Sequence, residues 1–189
     1  PPPPWATRRL FSLAAIALVA IVAISNTAFQ IKPEEVGLVL RFGRMVRTTE
    51  PGLHLKMPFV EQVLRVPVQR QLKEEFGFRT AVPGIRTQYS AADFAGESVM
   101  LTGDLNVAVV EWVVQYRVTN PYNYLFKVRG LVDTFRSMSQ AVMREVVGDR
   151  TVTEVLTVGR QEIATTSERM LQVLADQYEM GVVIDQIVL

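Results

Sequence analysis

The chain has 189 residues and a mass of 21.2 kDa, with 49% apolar and 21% charged residues, so it is one folded domain, or one with an appendage, and global disorder is excluded. Lys and Arg number 20 against 19 Asp and Glu, a balance that provides no basic field for bulk nucleic-acid binding. With no cysteine and one histidine, His54, the chain has no disulfide scaffold, no thiol nucleophile and no cysteine or multi-histidine metal site, and a Ser-His-Asp triad is disfavoured.

The first element is apolar throughout. The chain opens on Pro1-Pro2-Pro3-Pro4 without a methionine and closes on Val188-Leu189 without a polar tail, which reads as part of a longer protein. Residues 1–9 read as the end of a Pro-rich cytoplasmic tail. Residues 10–29 carry no charge and include ten Leu, Ile, Val or Phe. As a helix they would be about 30 Å long, enough to cross a bilayer's hydrocarbon core. Leu10, Phe11, Ile16, Leu18, Ile21, Ile24 and Phe29 are the candidate anchor residues of this single transmembrane helix. The pair Arg8-Arg9 directly before it favours a cytoplasmic N-terminus. Two other readings of the stretch stay open. One is a signal-peptide core, with Thr7-Arg8-Arg9-Leu10-Phe11 resembling a twin-arginine signal; the other is a buried helix.

Beyond the anchor the apolar period becomes two. Val36, Leu38, Leu40 and Phe42 alternate with Gly37, Val39 and Arg41, the pattern of a half-buried strand. Gly43 and Glu50-Pro51-Gly52 supply turns, and Leu53, Leu55 and Met57 alternate up to Pro58. Residues 60–68 predict a short strand that lies on an edge or carries a bulge, since Pro67 lacks the N–H an interior strand needs. Leu53, Leu55, Phe59 and Val60 lie near the anchor in sequence and are candidates for contact with the membrane surface; ordinary core packing is the competing reading. Residues 71–98 are polar and irregular and predict a projecting hairpin or long loop.

Residues 107–118 predict the central strand, with Ala108, Val110, Trp112, Val114, Tyr116 and Val118 on one wholly apolar face. Asn120-Pro121 has the chemistry of a helix N-cap followed by the first helical position. Leu131, Phe135, Met138, Val142 and Val146 form a helical stripe over about 131–147. Thr151-x-x-Glu154 is a capping box opening a helix over about 151–158. A third helix is predicted at 160–178, with Ile163, Met170, Leu174 and Tyr178 inward, and a final strand at 182–189. The class is α+β, with an antiparallel sheet and packed helices behind a membrane tether.

No catalytic constellation emerges from the residues. His54 has no second histidine or cysteine to complete a site, and Glu34-Glu35 and Glu74-Glu75 are adjacent, so on a strand each pair points to opposite faces. Phosphate-binding, dinucleotide and nucleophile-elbow motifs are lacking. The expectation is therefore no catalytic residue, no metal and no cofactor, with function carried by surfaces.

Three segments in order carry a family resemblance: Glu34-Glu35-Val36-Gly37-Leu38-Val39-Leu40-Arg41-Phe42-Gly43-Arg44, Glu50-Pro51-Gly52-Leu53-His54-Leu55-Lys56-Met57-Pro58-Phe59, and Met100-Leu101-Thr102-Gly103-Asp104-Leu105-Asn106-Val107 running into Val114-Gln115-Tyr116-Arg117-Val118-Thr119-Asn120-Pro121. Together they resemble the SPFH (band 7) family of stomatins, prohibitins, flotillins and the bacterial HflK and HflC proteins, and most resemble its HflK branch. The resemblance implies a first SPFH subdomain over 30–98, a second over 99–189, and a C-terminal coiled-coil region beyond this sequence. It also implies a non-enzymatic, single-pass protein of the bacterial inner membrane with its SPFH domain in the periplasm. The implied partners are an HflC-like paralogue, an FtsH-like AAA+ protease and membrane lipid, in a large ring or cage of homo- or hetero-oligomers that limits the protease's access to membrane substrates. A stomatin- or prohibitin-like organiser of lipid microdomains is the alternative, and a membrane-anchored enzyme with its active site beyond Leu189 is a third reading.

Overall fold

Period-two sequence builds both halves of the chain, and the strands it forms separate into two sets. The structure, a computed structural model, describes residues 27–82, 88–89 and 94–189. The chain divides into two units, Pro1–Pro67 and Val68–Leu189. The predicted anchor residues Leu10, Phe11, Ile16, Leu18, Ile21 and Ile24 lie outside the described residues. Among the described residues, no helix is long and apolar enough to cross a membrane.

The first unit is all strand: β1 (Ala28–Ile31), β2 (Glu35–Arg41), β3 (Arg44–Thr49), β4 (Gly52–Leu55) and β5 (Glu61–Pro67). β1 pairs antiparallel with β4, and β2 is the middle strand of an antiparallel β3-β2-β5 sheet. Phe29, the last residue of the predicted anchor, is in β1 instead; it is buried and pairs in register with His54. Leu38, Val39 and Leu40 on β2 are buried on both faces, because Val39 joins Phe29 and Ile31 in a core cluster with Val63 against it. Gly37 is required there. A Cβ at this position would lie 2.4 Å from Thr49 Oγ1 and 2.7 Å from Ile31 Cδ1. As Pro67 foretold, β5 is an edge strand.

The second unit adds β6 (Leu72–Phe76), β7 (Thr80–Val82), β8 (Gln88–Tyr89), α1 (Ala95–Ser98), β9 (Val99–Leu101), β10 (Val107–Val109) and β11 (Trp112–Val118). It continues through α2 (Pro121–Phe126), α3 (Leu131–Gly148), α4 (Val152–Leu156), α5 (Arg160–Gln177) and β12 (Val182–Val188). β11 is central in an antiparallel β12-β11-β6 sheet. Residues 71–98 are therefore not one long loop: β7 and β8 pair antiparallel, in keeping with the hairpin alternative, while Leu72–Phe76 is a strand of the larger sheet. β6 enters the sheet, registering Trp112 opposite Phe76, and so belongs with the second unit; the break falls after Pro67 and not near residue 98.

All six residues of the predicted apolar face, Ala108 to Val118, are buried, although the strand itself breaks at Val110-Glu111. Phe76 stacks on Trp112 with ring centroids 4.5 Å apart and planes 3° from parallel. The buried Trp112 Nε1 donates to Ser139 Oγ at 3.1 Å. Asn120 accepts from the N–H groups of Tyr122 and Asn123, and the Thr151–Glu154 capping box forms. On α5, Ile163 is buried as predicted, but the inward stripe runs through Ala164, Ser167, Leu171 and Ala175, while Met170 and Leu174 are half-buried and Tyr178 is exposed. Small side chains give α3 room to approach, and Ser167 Oγ meets Met143 Sδ at 3.9 Å.

Glu97 on α1 ties the second unit's edge together. It accepts a two-pronged contact from Arg79 at 2.7 and 3.0 Å, a third bond from Arg136 at 2.9 Å and a fourth from the Gly77 N–H at 3.1 Å. Arg136 also donates to Glu74 at 2.7 Å and lies over the Phe76 ring at 4.5 Å. Burial pushes the Glu97 carboxyl up, but the hydrogen bonds from Arg79, Gly77 and Arg136 outweigh it and bring its pKa down to about 2.

Candidate membrane-facing site

Two turns at the same end of the first unit display aromatic rings to solvent. Phe42 ends β2 at φ 50° and is 85% exposed; Phe59 lies between β4 and β5 at φ 65° and is 81% exposed. Left-handed backbone is uncommon for non-glycine residues, and here it turns two large apolar side chains outward. The Phe42 N–H donates to the Val60 carbonyl at 3.4 Å, which joins the two turns. Leu53, Leu55 and Met57 on β4 and the following loop are exposed as well.

Glu61 holds this rim in place from below. Its buried carboxylate accepts from Arg41 at 2.7 and 3.3 Å, from the Met57 N–H at 3.0 Å and from Arg47 at 3.5 Å. Arg47 donates also to the Leu55 carbonyl. One carboxylate thus pins loop 56–60 to β2 and β3. The Arg41 hydrogen bond, then the Met57 N–H, hold its pKa below the usual carboxylate range.

A groove of about 540 Å³ opens between the two turns, lined by Phe42, Phe59, Val60, Lys56 and Arg65 among others. Of the predicted surface residues, Leu53, Leu55 and Phe59 are exposed and Val60 is half-buried beside them. Phe42 joins the group unannounced. Strict alternation placed it on the core face with Leu38 and Leu40, but the left-handed turn at Phe42-Gly43 breaks that alternation. The Phe-Gly step after an alternating run was the available signal. His54 Nε2 donates to the Glu50 carbonyl at 2.7 Å, and its ring lies 5.7 Å from that of Phe29, a structural role.

The second unit carries an apolar surface of its own. In the β9–β10 ribbon Met100 and Ala108 face the core, while Val99, Leu101, Val107 and Val109 face outward and are exposed. At its tip Leu105 has φ 62° and is 80% exposed. The ribbon is rigidly seated. Asp104 accepts from Thr102 at 2.6 Å, Asn106 at 2.9 Å and the Val152 N–H at 3.1 Å, and the Gly103 N–H donates to the Arg150 carbonyl at 2.8 Å. Among the described residues no group of three or more His, Cys, Asp or Glu is arranged to hold a metal ion.

Residues 29–188 match the SPFH domain / Band 7 family, and the chain belongs to that family. Among its relatives is Protein HflK of Treponema pallidum (strain Nichols), 40% identical over 171 residues, covering 89% of this chain and 52% of the relative. Protein HflK of Borreliella burgdorferi is 33% identical over 178 residues, covering 94% of this chain and 56% of the relative. The protein named Modulator of FtsH protease HflK, of Escherichia coli (strain K12), is 35% identical over 181 residues, covering 96% of this chain and 38% of the relative. The chain thus spans about half the length, or less, of the curated relatives it matches.

Proposed function

We propose that the chain is a membrane-anchored scaffold subunit that assembles with an HflC-like paralogue around an FtsH-like AAA+ protease and limits the protease's access to membrane substrates. Its place is the bacterial inner membrane, single-pass, with a cytoplasmic N-terminus and a periplasmic SPFH domain. The observation that carries this reading is the likeness to HflK proteins across nearly the whole chain, one of which is named as a modulator of FtsH protease. The surfaces suit the role. The first unit's rim of Phe42, Leu53, Leu55, Met57 and Phe59 fits the interface of a bilayer, where apolar rings enter the acyl boundary. The β9–β10 face of the second unit fits a small, repeated contact between neighbouring copies, and many such contacts add up when the copies share one membrane. The role is non-catalytic: the effect on the protease comes from enclosure.

The test is gentle detergent extraction of the full-length protein from native membranes, followed by sizing and mass spectrometry. A megadalton-scale particle containing an HflC-like protein and the protease is expected. A small particle lacking both would overturn the proposal. The second reading, an organiser of lipid microdomains, draws on the same exposed rim; it predicts particles that keep their lipid and lack the protease.

A further inference from the structure

The groove beneath the first unit's rim has chemistry that a merely apolar membrane contact does not need. Lys56 and Arg65 line it, and neither has a carboxylate partner among the described residues. The acid in the lining, Glu61, is already saturated by Arg41, Arg47 and the Met57 N–H. The unpaired charge of the groove is therefore positive. The wider unit agrees: residues 27–67 hold six Lys and Arg against four Glu, whereas residues 68–189 hold twelve against fifteen acidic residues. Phe42 and Phe59 form the lips of the same groove, and Phe29, Leu40 and Val63 contribute apolar lining.

Cations that line one groove with two outward-turned aromatic rings suit the layering of a bilayer surface. Apolar groups reach the acyl boundary while the ammonium and guanidinium stay at headgroup depth. We propose that this groove binds the headgroup of an anionic phospholipid, with Lys56 and Arg65 holding the phosphate and Phe42 and Phe59 against the upper acyl chains. The inference rests on the reading that the rim meets the membrane, and it adds a lipid class and two named cations to it. An acidic peptide would use the cations but leaves the exposed rings unexplained. A lipid uses both.

The experiment reconstitutes the full chain carrying Trp5→Phe and Phe59→Trp into phosphatidylcholine vesicles, because the native Trp5, next to the predicted anchor, would itself be quenched by brominated lipid. Either brominated phosphatidylglycerol or brominated phosphatidylcholine is added at equal mole fraction, and quenching of the new indole is read. Trp112 is buried and serves as an unquenched reference within the second unit. Phe42→Trp provides an independent second probe should the first variant misfold. The anionic lipid should quench as though preferred by about five-fold for each cation. Lys56→Gln with Arg65→Gln should remove that preference and leave quenching by phosphatidylcholine unchanged, and Arg65→Gln alone should remove part of it. Equal quenching by both lipids in the otherwise wild-type chain overturns the inference while the membrane reading stands. No quenching by either lipid at both probe positions overturns both. A preference that survives the double substitution places the site elsewhere and overturns this groove. Loss of the preference to inorganic phosphate, against chloride of matched ionic strength, identifies a free-phosphate site and overturns the lipid assignment.

Discussion

Replacing Glu97 by Gln removes one negative charge from the point where Arg79, Arg136 and the Gly77 N–H converge. The isosteric amide still accepts one or two of the four hydrogen bonds, but both guanidinium groups lose their shared counter-charge. Glu97 and Arg136 side chains are 21% and 16% exposed, so water compensates only in part. The drop in the Glu97 pKa from 4.5 to about 2 sets the scale: at neutral pH the charged form contributes at most about 3 kcal/mol to folding. Partial exposure makes about 1.5–3 kcal/mol the expected loss. A carboxyl whose pKa is depressed by folding stabilises the native state fully above its unfolded value. That stabilisation fades as pH falls from about 4.5 towards 2. The assay is urea denaturation of the detergent-solubilised chain, with Trp5→Phe in both proteins so that Trp112 is the one fluorescent indole, at pH 7 and at steps down to pH 2.5. The gap between wild type and Glu97→Gln should be largest at pH 7 and should close across that window. A gap that stays constant with pH would refute the electrostatic account, because it would trace the loss to packing.

Other substitutions probe separate parts of the structure. Phe76→Ala empties the fully buried slot between Trp112 and the Arg136 guanidinium; it should cost about 3–5 kcal/mol by denaturation and alter Trp112 emission. Gly103→Ala puts a Cβ 2.7 Å from the Gly148 carbonyl oxygen, backbone against backbone, and should lower stability by about 1–3 kcal/mol while loosening amide-exchange protection in the β9–β10 ribbon. Leu105→Ser with Val107→Ser changes exposed side chains only; stability should stay within about 0.5 kcal/mol while the mass of the extracted particle falls. Phe42→Ser with Phe59→Ser should likewise leave stability nearly unchanged and make loop 56–60 more accessible to a water-soluble label in vesicles.

Local patterns carried much of the fold. The residues from Ala108 to Val118 announce a buried face because a strand's period is two whatever its neighbours, and Asn120-Pro121 and Thr151-x-x-Glu154 announce helix starts because their hydrogen bonds close within four residues. Pro67 marked an edge because it has no N–H to offer a second partner strand. Patterning reached less far where two segments distant in sequence had to meet. β6 looked polar and irregular, since Lys73, Glu74 and Glu75 hide a strand whose partner, β11, begins 36 residues after β6 ends. The ion network of Glu97 joins residues 18 and 39 positions away, and no spacing in the chain records it.

The candidate site divides along the same line. The residue order put apolar side chains at Leu53, Leu55 and Phe59, and composition excluded cysteine and multi-histidine chemistry. Only the tertiary structure turned Phe42 out of the core, set it beside Phe59, and left Lys56 and Arg65 in the same groove without a carboxylate partner among the described residues, by engaging Glu61 with Arg41 and Arg47. A side chain's chemistry is written in the sequence. Whether its charge is already answered, and whether its ring faces core or solvent, is decided by backbone turns and by partners brought from elsewhere in the chain.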